Sequence, residues 1–360
     1  MPHWSVYTGD SEPHDGIDRL PAPPPWRAFD GGPPLDTPGE PEDGSTISPD
    51  RVHRAQTYVA TADSVQLVNA ALCLRRPLLV TGPPGTGKSS LAYAVAHELR
   101  LGPVLRWNIT SRSGLADGLY QYDPLSRLYA AKQAARHSDR PTPEPGAGGP
   151  DQGGPDHGGP GHGGDVADHL RLGPLGTALL PYSRPRVLLV DEIDKSDLDL
   201  PNDLLNVLEE GQYEIPELVR TARHSAQDEA VVLTDGGDRP VSVRRGRVRC
   251  RAFPFVVLTS NGEREFPPAF LRRCVRLRLR RPDRAQLTDI VRAHLGEPDA
   301  AATSLIDGFL SRATSGELAT DQLLNAIYLT GVAGLDTDSR DALAEQLMPY
   351  LSATADGDGF

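Results

Sequence analysis

A chain of 360 residues with a net charge of -12 has room for about two or three folded units and lacks the charge of a general nucleic-acid binder. Its 36 glycines and 34 prolines exceed an ordinary share but cluster locally, so irregular segments are expected beside a normal folded domain. Three scattered cysteines form no metal pattern and exclude a disulfide scaffold; with no signal-like start and no run near ~20 apolar residues, a cytoplasmic location is expected.

Residues 1–50 surround Pro21-Ala-Pro-Pro-Pro-Trp26 and read as a Pro/Gly-rich arm. Trp4, Tyr7, Trp26 and Phe29 give it the means to pin onto a folded surface. A globular pattern starts near residue 51 and runs to 282. Ser64 to Leu74 repeats apolar positions at helical spacing, and Pro77-Leu78-Leu79-Val80 follows as a short buried strand.

Residues 81–89, Thr-Gly-Pro-Pro-Gly-Thr-Gly-Lys-Ser, fit G-x-x-x-x-G-K-[ST] between that strand and a helix beginning at Ser90. Strand, glycine loop and helix in this order turn backbone N–H groups and a helix N-terminus towards a phosphate chain. Gly82, Pro83, Pro84, Gly85, Thr86, Gly87, Lys88, Ser89 and Ser90 therefore form the expected nucleotide-binding run. Lys88 is placed for the β- and γ-phosphates, and the Ser89 hydroxyl for Mg²⁺. A chance glycine turn is the bland alternative, and the flanking strand and helix argue against it.

Val104 to Thr110 reads as the next strand, and Leu115 to Ala135 as a helix with Tyr120, Tyr122, Leu125, Leu128 and Tyr129 available to pack. Residues 138–165 hold almost only Gly, Pro, His, Asp and other polar residues, so a flexible insertion is expected. The nearby histidines 137, 157, 162 and 169 lack the rigid frame of a metal site, which leaves a solvated loop as the reading. Val187 to Val190 is a second buried strand, ending on Asp191 and Glu192. Ser196 to Glu210 is expected as a helix stopped by Gly211, and residues 230–251 as a hairpin around Asp235-Gly-Gly-Asp238. Phe255 to Asn261 and Val275 to Arg280 complete the strands. Helical stretches at 283–295, 299–313, 321–334 and 338–352 follow, with Asp283 and Thr320 as caps and 353–360 as a tail.

In a phosphate-loop enzyme a neighbouring strand must bring an acid to the metal, and Asp191 is placed for that. Glu192 would polarise the attacking water, with Asn261 holding the same water from another strand end. A solvated helix start is the structural alternative for Asp191-Glu192, but four apolar residues lead directly into the pair.

Gly-Pro-Pro-Gly-Thr-Gly-Lys-Ser, Val-Leu-Leu-Val-Asp-Glu-Ile-Asp-Lys, Leu-Thr-Ser-Asn and Pro-Pro-Ala-Phe-Leu-Arg-Arg-Cys, in this order, resemble the successive boxes of AAA+ ATPases. The hairpin before Asn261 and the Pro-Leu-Leu-Val run are similar to the MoxR-like branch. The resemblance covers about residues 52–345 and implies an α/β fold: a parallel phosphate-loop sheet flanked by helices, with a C-terminal all-helical lid at 283–352. It implies ATP and Mg²⁺ as cofactors, Lys88 and Ser89 at the phosphate and magnesium positions, Asp191 and Glu192 as the acidic box, and Asn261 as the first sensor. Arg273, with Arg272 as the alternative, matches the finger that completes a neighbouring subunit's site, a contribution of ~10³–10⁵ in rate in related chemistry.

The resemblance also implies a hexameric ring that remodels or activates a protein client, often with a von Willebrand factor A-domain partner, and a weaker likeness points to bacterial conflict or signalling systems. Family lids often carry a basic second sensor at the start of their third helix; Gly316 to Leu324 has none, Arg312 is the nearest, and no second sensor is nominated. Adenine is expected to be read by backbone near Tyr58 and Val59. Arginines 244, 245, 247, 249 and 251 lack interleaved aromatics and read as the wet face of a hairpin or a subunit contact rather than a nucleic-acid surface. Two other classes stay open, a slow nucleotide-controlled switch and a nucleic-acid motor component.

Overall fold

A computed structural model describes residues 4–39, 48–138, 166–224, 228–313, 318–333, 343 and 346–348. All of the insertion expected at 138–165 except Ser138, the tail at 353–360 and most of the helix expected at 338–352 lie outside these residues. In chain order, α1 (Pro49–Gln56), α2 (Ala62–Leu74), β1 (Leu78–Thr81), α3 (Ser90–Glu98) and β2 (Leu105–Asn108) open the domain. Then come α4 (Leu115–Leu119), β3 (Tyr120–Tyr122), α5 (Pro124–Ser138), β4 (Leu170–Leu172), α6 (Pro174–Ala178) and β5 (Val187–Asp191). α7 (Leu200–Glu210), β6 (Gln212–Glu214), α8 (Pro216–His224), β7 (Glu229–Thr234), β8 (Gly237–Arg244) and β9 (Arg247–Arg249) follow. β10 (Phe255–Ser260), α9 (Pro268–Leu271) and β11 (Val275–Arg278) complete the α/β part, and α10 (Arg284–Leu295), α11 (Ala300–Ala313) and α12 (Thr320–Ala333) form the lid.

The main sheet has five parallel strands in the order β11-β1-β10-β5-β2. Its central strands are apolar on both faces because both faces are covered. Leu78, Val80, Val187, Leu189 and Val257 pack towards α2 and α3, whereas Leu79, Leu188, Val190, Val256 and Leu258 pack with α6, α7 and the second sheet. That second sheet, β3-β4-β7-β8-β9-β6, is built round the expected hairpin, whose tip pairs Thr234 with Gly237.

The continuous helix expected from Leu115 to Ala135 is instead α4, β3 and α5. Tyr120, Gln121 and Tyr122 pair antiparallel with Leu172, Arg171 and Leu170, so a distant strand overrides the local helical spacing. Leu125, Leu128 and Tyr129 are exposed rather than packed. α7 starts at Leu200, not Ser196, because Asp197 Oδ1 accepts the Asp199 and Leu200 N–H groups in the preceding turn. Gly211 caps its end in the left-handed region, as expected. Asp283 caps α10 in a reciprocal capping box with Gln286. Thr320 is already the first residue of α12; the Gln322 side chain accepts the Ala319 N–H there.

Residues 4–39 follow a defined path along the α/β body. Asn69 Oδ1 accepts the Val6 and Tyr7 N–H groups, and Glu98 accepts those of Thr8 and Gly9. Tyr7 is buried, Trp26 is exposed, and Arg27 is buried over the Phe253 ring while donating to the Arg75 carbonyl. Among the described residues no helix is long and apolar enough to cross a membrane.

Candidate nucleotide site

The phosphate loop joins β1 to α3, and the strand register brings its partners to it. Thr81 lies level with Ser260, so Gly82 and Asn261 leave adjacent parallel strands side by side. Leu258 lies level with Val190, which sets Thr259 beside Asp191. Ser89 Oγ donates to Asp191 Oδ1 at 2.7 Å, and Thr259 Oγ1 donates to the same oxygen at 2.7 Å. A hydroxyl and a carboxylate are oxygen donors of the kind a hard divalent cation takes, so the pair fits Mg²⁺.

Lys88 is buried and donates to the Gly82 and Pro83 carbonyls, both at 2.8 Å. Burial pushes its ammonium below the ordinary value, against the opposing pull of Asp194, Asp191 and Glu192. With its ammonium held on two loop carbonyls, Lys88 presents a positive charge at the place where an anion would enter the loop.

Glu192 has φ 62 and ψ 49, the left-handed region, and its N–H donates to Thr259 Oγ1 at 2.9 Å. Its carboxylate meets Lys195 Nζ at 2.9 Å, with both side chains half exposed. Two further charged side chains belong to the site although their chemistry was not singled out from the sequence. Arg106 of β2 reaches Asp191 Oδ2 at 2.9 Å. Asp194 is buried and accepts hydrogen bonds from the 260–263 segment. Each carried a signal: Arg106 alternates with buried Leu105 and Trp107, and Asp194 stands inside the acidic run that names Asp191 and Glu192.

Arg272 and Arg273 are not brought to this cluster. β11 runs parallel to β1 with Val275 level with Leu78, which leaves both arginines at the opposite edge of the sheet, a strand length of ~13 Å from the loop. Arg273 is held loosely there: Nη1 donates to the Ala269 carbonyl at 3.4 Å, and Nε lies 3.9 Å from Glu209. The Arg272 carbonyl accepts from Arg76 at 2.9 Å, and its side chain is exposed.

A cleft of ≈ 220 Å³ opens between the loop and the lid, lined by Pro84, Thr86, Pro282, Phe309, Leu318 and Thr320. The lid touches the loop so closely that a Cβ on Gly85, which has φ +72, would lie 2.6 Å from the Ala319 Cβ. Tyr58 borders the same loop, 3.4 Å from where a Gly87 Cβ would stand, and burial pushes its phenol up to about 12.

A family model described as AAA domain (dynein-related subfamily) matches residues 77–274. The chain belongs to this AAA family. Its match runs from Pro77, the residue before β1, through Cys274, and so takes in the phosphate loop, Asp191, Glu192, Asn261, Arg272 and Arg273 and ends just before β11. No curated protein matches the chain. Among solved structures, NtrX from Brucella abortus in complex with ATP is similar at 16% identity and a TM-score of 0.38, covering 83% of this chain and 58% of that one. The same protein in complex with ADP gives 15% identity and a TM-score of 0.35, covering 81% and 54%. The chain thus spans a little over half the length of these NtrX chains.

In this AAA chain the start of α12, which meets the loop, carries Ala319, Thr320 and Asp321 and no basic side chain. Arg312 instead donates to the Met348 carbonyl at 2.9 Å. Three arginines of the basic run face carboxylates of the chain itself: Arg245 meets Asp228 at 2.8 Å, Arg247 meets Glu214 at 2.9 Å and Arg249 meets Asp30 at 2.9 Å.

Proposed function

We propose that the chain is an ATP hydrolase that turns nucleotide binding and hydrolysis into work on a partner protein. The observation that carries this is the convergence of Lys88, Ser89, Asp191, Glu192 and Asn261 at one edge of the sheet, with Arg273 at the other. Mg²⁺ held through Ser89 and Asp191 would neutralise the triphosphate. Lys88 binds the β- and γ-phosphates, Glu192 polarises the attacking water and Asn261 orients it. The cleft beside Pro84 and Phe309 takes the base, with the backbone near Tyr58, which borders the loop at Gly87, and Val59 reading it.

Arg273, or Arg272, serves the nucleotide of a second copy, because neither can reach its own loop across the sheet. The reading therefore includes a homo-oligomeric ring, hexameric and MoxR-like by resemblance, in the cytoplasm, acting on a protein client or a von Willebrand factor A-domain partner, with a bacterial conflict or signalling system as its setting. We place the arm at 1–50, the nucleotide-binding domain at 51–282 and the lid at 283–352.

Phosphate release per chain is expected to rise with protein concentration and to vanish in Glu192→Gln. One nucleotide held per chain without turnover at any concentration would overturn the hydrolase and favour a binding switch. The switch has one observation of its own: of the described residues at the start of α12, Leu318 to Asp321 bring no basic side chain to the loop, and the cleft's basic side chain, Arg281, comes from before the lid.

A further inference from the structure

We infer that Asp194 is a positioning residue that sets the loop carrying Asn261, and through it the attacking water. This rests on the reading of Asn261 given above. Asp194 Oδ2 accepts four hydrogen bonds: from Ser260 Oγ at 2.9 Å, and from the backbone N–H groups of Asn261 at 2.9 Å, Gly262 at 3.1 Å and Glu263 at 3.2 Å. Three successive N–H groups turned onto one anionic oxygen form a nest, a backbone shape that ordinarily captures a bound anion. Here the anion is a side chain of the acidic run. Gly262 has φ +82, the left-handed conformation that closes such a curve at no steric cost. Ser260 Oγ also accepts the Gly262 N–H at 3.0 Å, so the loop has little freedom while the carboxylate is in place.

Asp194 is 5% exposed, and its other oxygen, Oδ1, is buried without a hydrogen-bond partner. A carboxylate taken out of water needs strong compensation, and here that compensation comes from the segment bearing Asn261. Asp194 is also the foremost carboxylate acting on Lys88, which puts it within the field of the phosphate site. Deleting the carboxylate would leave the Asn261 and Glu263 N–H groups without this acceptor and Gly262 with Ser260 Oγ alone, so the segment that carries Asn261 would lose its anchor.

The test is a cycle of Asp194→Ala, Asn261→Ala and the double variant, reading kcat, KM for ATP, ATP affinity and amide exchange. Asp194→Ala is expected to speed exchange of the 261–263 amides and to lower kcat at least about tenfold, with ATP affinity changed less than about threefold. The double variant should fall no further than Asn261→Ala, because both changes remove the same contribution. Asp194→Asn, which keeps an acceptor oxygen for the nest, should retain slow exchange and recover most of kcat, and it serves where the alanine variant does not fold. Losses that multiply in the double variant, or an unchanged exchange rate, would overturn the assignment. If the wild-type chain shows no turnover, the hydrolase reading fails, and exchange at 261–263 still decides whether Asp194 sets the loop.

Discussion

The two edges of the five-stranded sheet are built to different standards. At the edge where β1, β5 and β10 end, Lys88 is tied to the Gly82 and Pro83 carbonyls, and Ser89 and Thr259 to Asp191, by bonds of 2.7–2.8 Å. At the edge where β1 and β11 begin, Arg273 has one contact at 3.4 Å and one at 3.9 Å. The first edge is held by short hydrogen bonds within the chain itself, the kind of fixed arrangement of dipoles from which a phosphate site gains. At the second, long side chains keep their freedom, and holding them takes a further surface. The contrast predicts that substitutions at the first edge act on nucleotide binding, and those at the second on turnover.

The largest expected effect tests that split directly. Arg273→Ala should leave ATP affinity within about threefold while cutting turnover by ~10³, with Arg272→Ala doing less. A tenfold loss of affinity in Arg273→Ala, read by calorimetry on the isolated chain, would collapse the contrast.

Next comes the arm. Arg27, 4% exposed, lies over Phe253 and donates to the Arg75 carbonyl, so Arg27→Ala should cost about 2–3 kcal/mol in urea unfolding. An unchanged midpoint would mean that the arm contributes nothing to the edge it borders. Arg106→Ala, which removes the cation facing Asp191 Oδ2, should weaken Mg²⁺-dependent ATP binding about tenfold and leave metal-free binding less affected, as seen in a magnesium titration. Equal losses with and without magnesium would assign Arg106 to the nucleotide and not to Asp191.

The smallest effect concerns the lid. His53 Nε2 of α1 and His294 Nδ1 of α10 are 3.0 Å apart, and burial, followed by the charge of His53, lowers the His294 pKa. A value lower in the folded than in the unfolded state means that folding favours the neutral ring. The contact is therefore complete above the ordinary value near 6.5 and is lost as pH falls below it. Corrected for the intrinsic slowing of amide exchange with falling pH, protection in α10 should drop by up to about threefold between pH ~7.5 and ~5.5, and His294→Asn should abolish that drop.

Much of the loop edge was legible because apolar runs, a glycine loop and carboxylates fall in contiguous segments. Val187 to Asp191 reads as a buried strand ending on an acid whether or not its neighbours are known. What escaped depended on strand order. Arg106 becomes part of the site only when β2 is laid beside β5, with its own position level with Leu189. The role of Asp194 appears only when β10 brings Asn261 alongside. Tyr120 to Tyr122 kept a helical spacing that pairing with β4 overrode, and no local signal announces a partner about 50 residues away. The second edge hid for another reason: an arginine pair at the end of a short helix has no chemistry until the topology shows which loop it cannot reach.

The sheet order also sets a timetable for synthesis. β1 lies between β10 and β11, and Leu78 finds its partner Val257 about 180 residues later in the chain. A ribosome making this protein releases the phosphate loop early and the strand that steadies it late. Until β10 emerges, an apolar ribbon with both edges unpaired must be kept from other chains. Chaperone demand should therefore peak while the second sheet is being translated and fall once residues 255–260 are out.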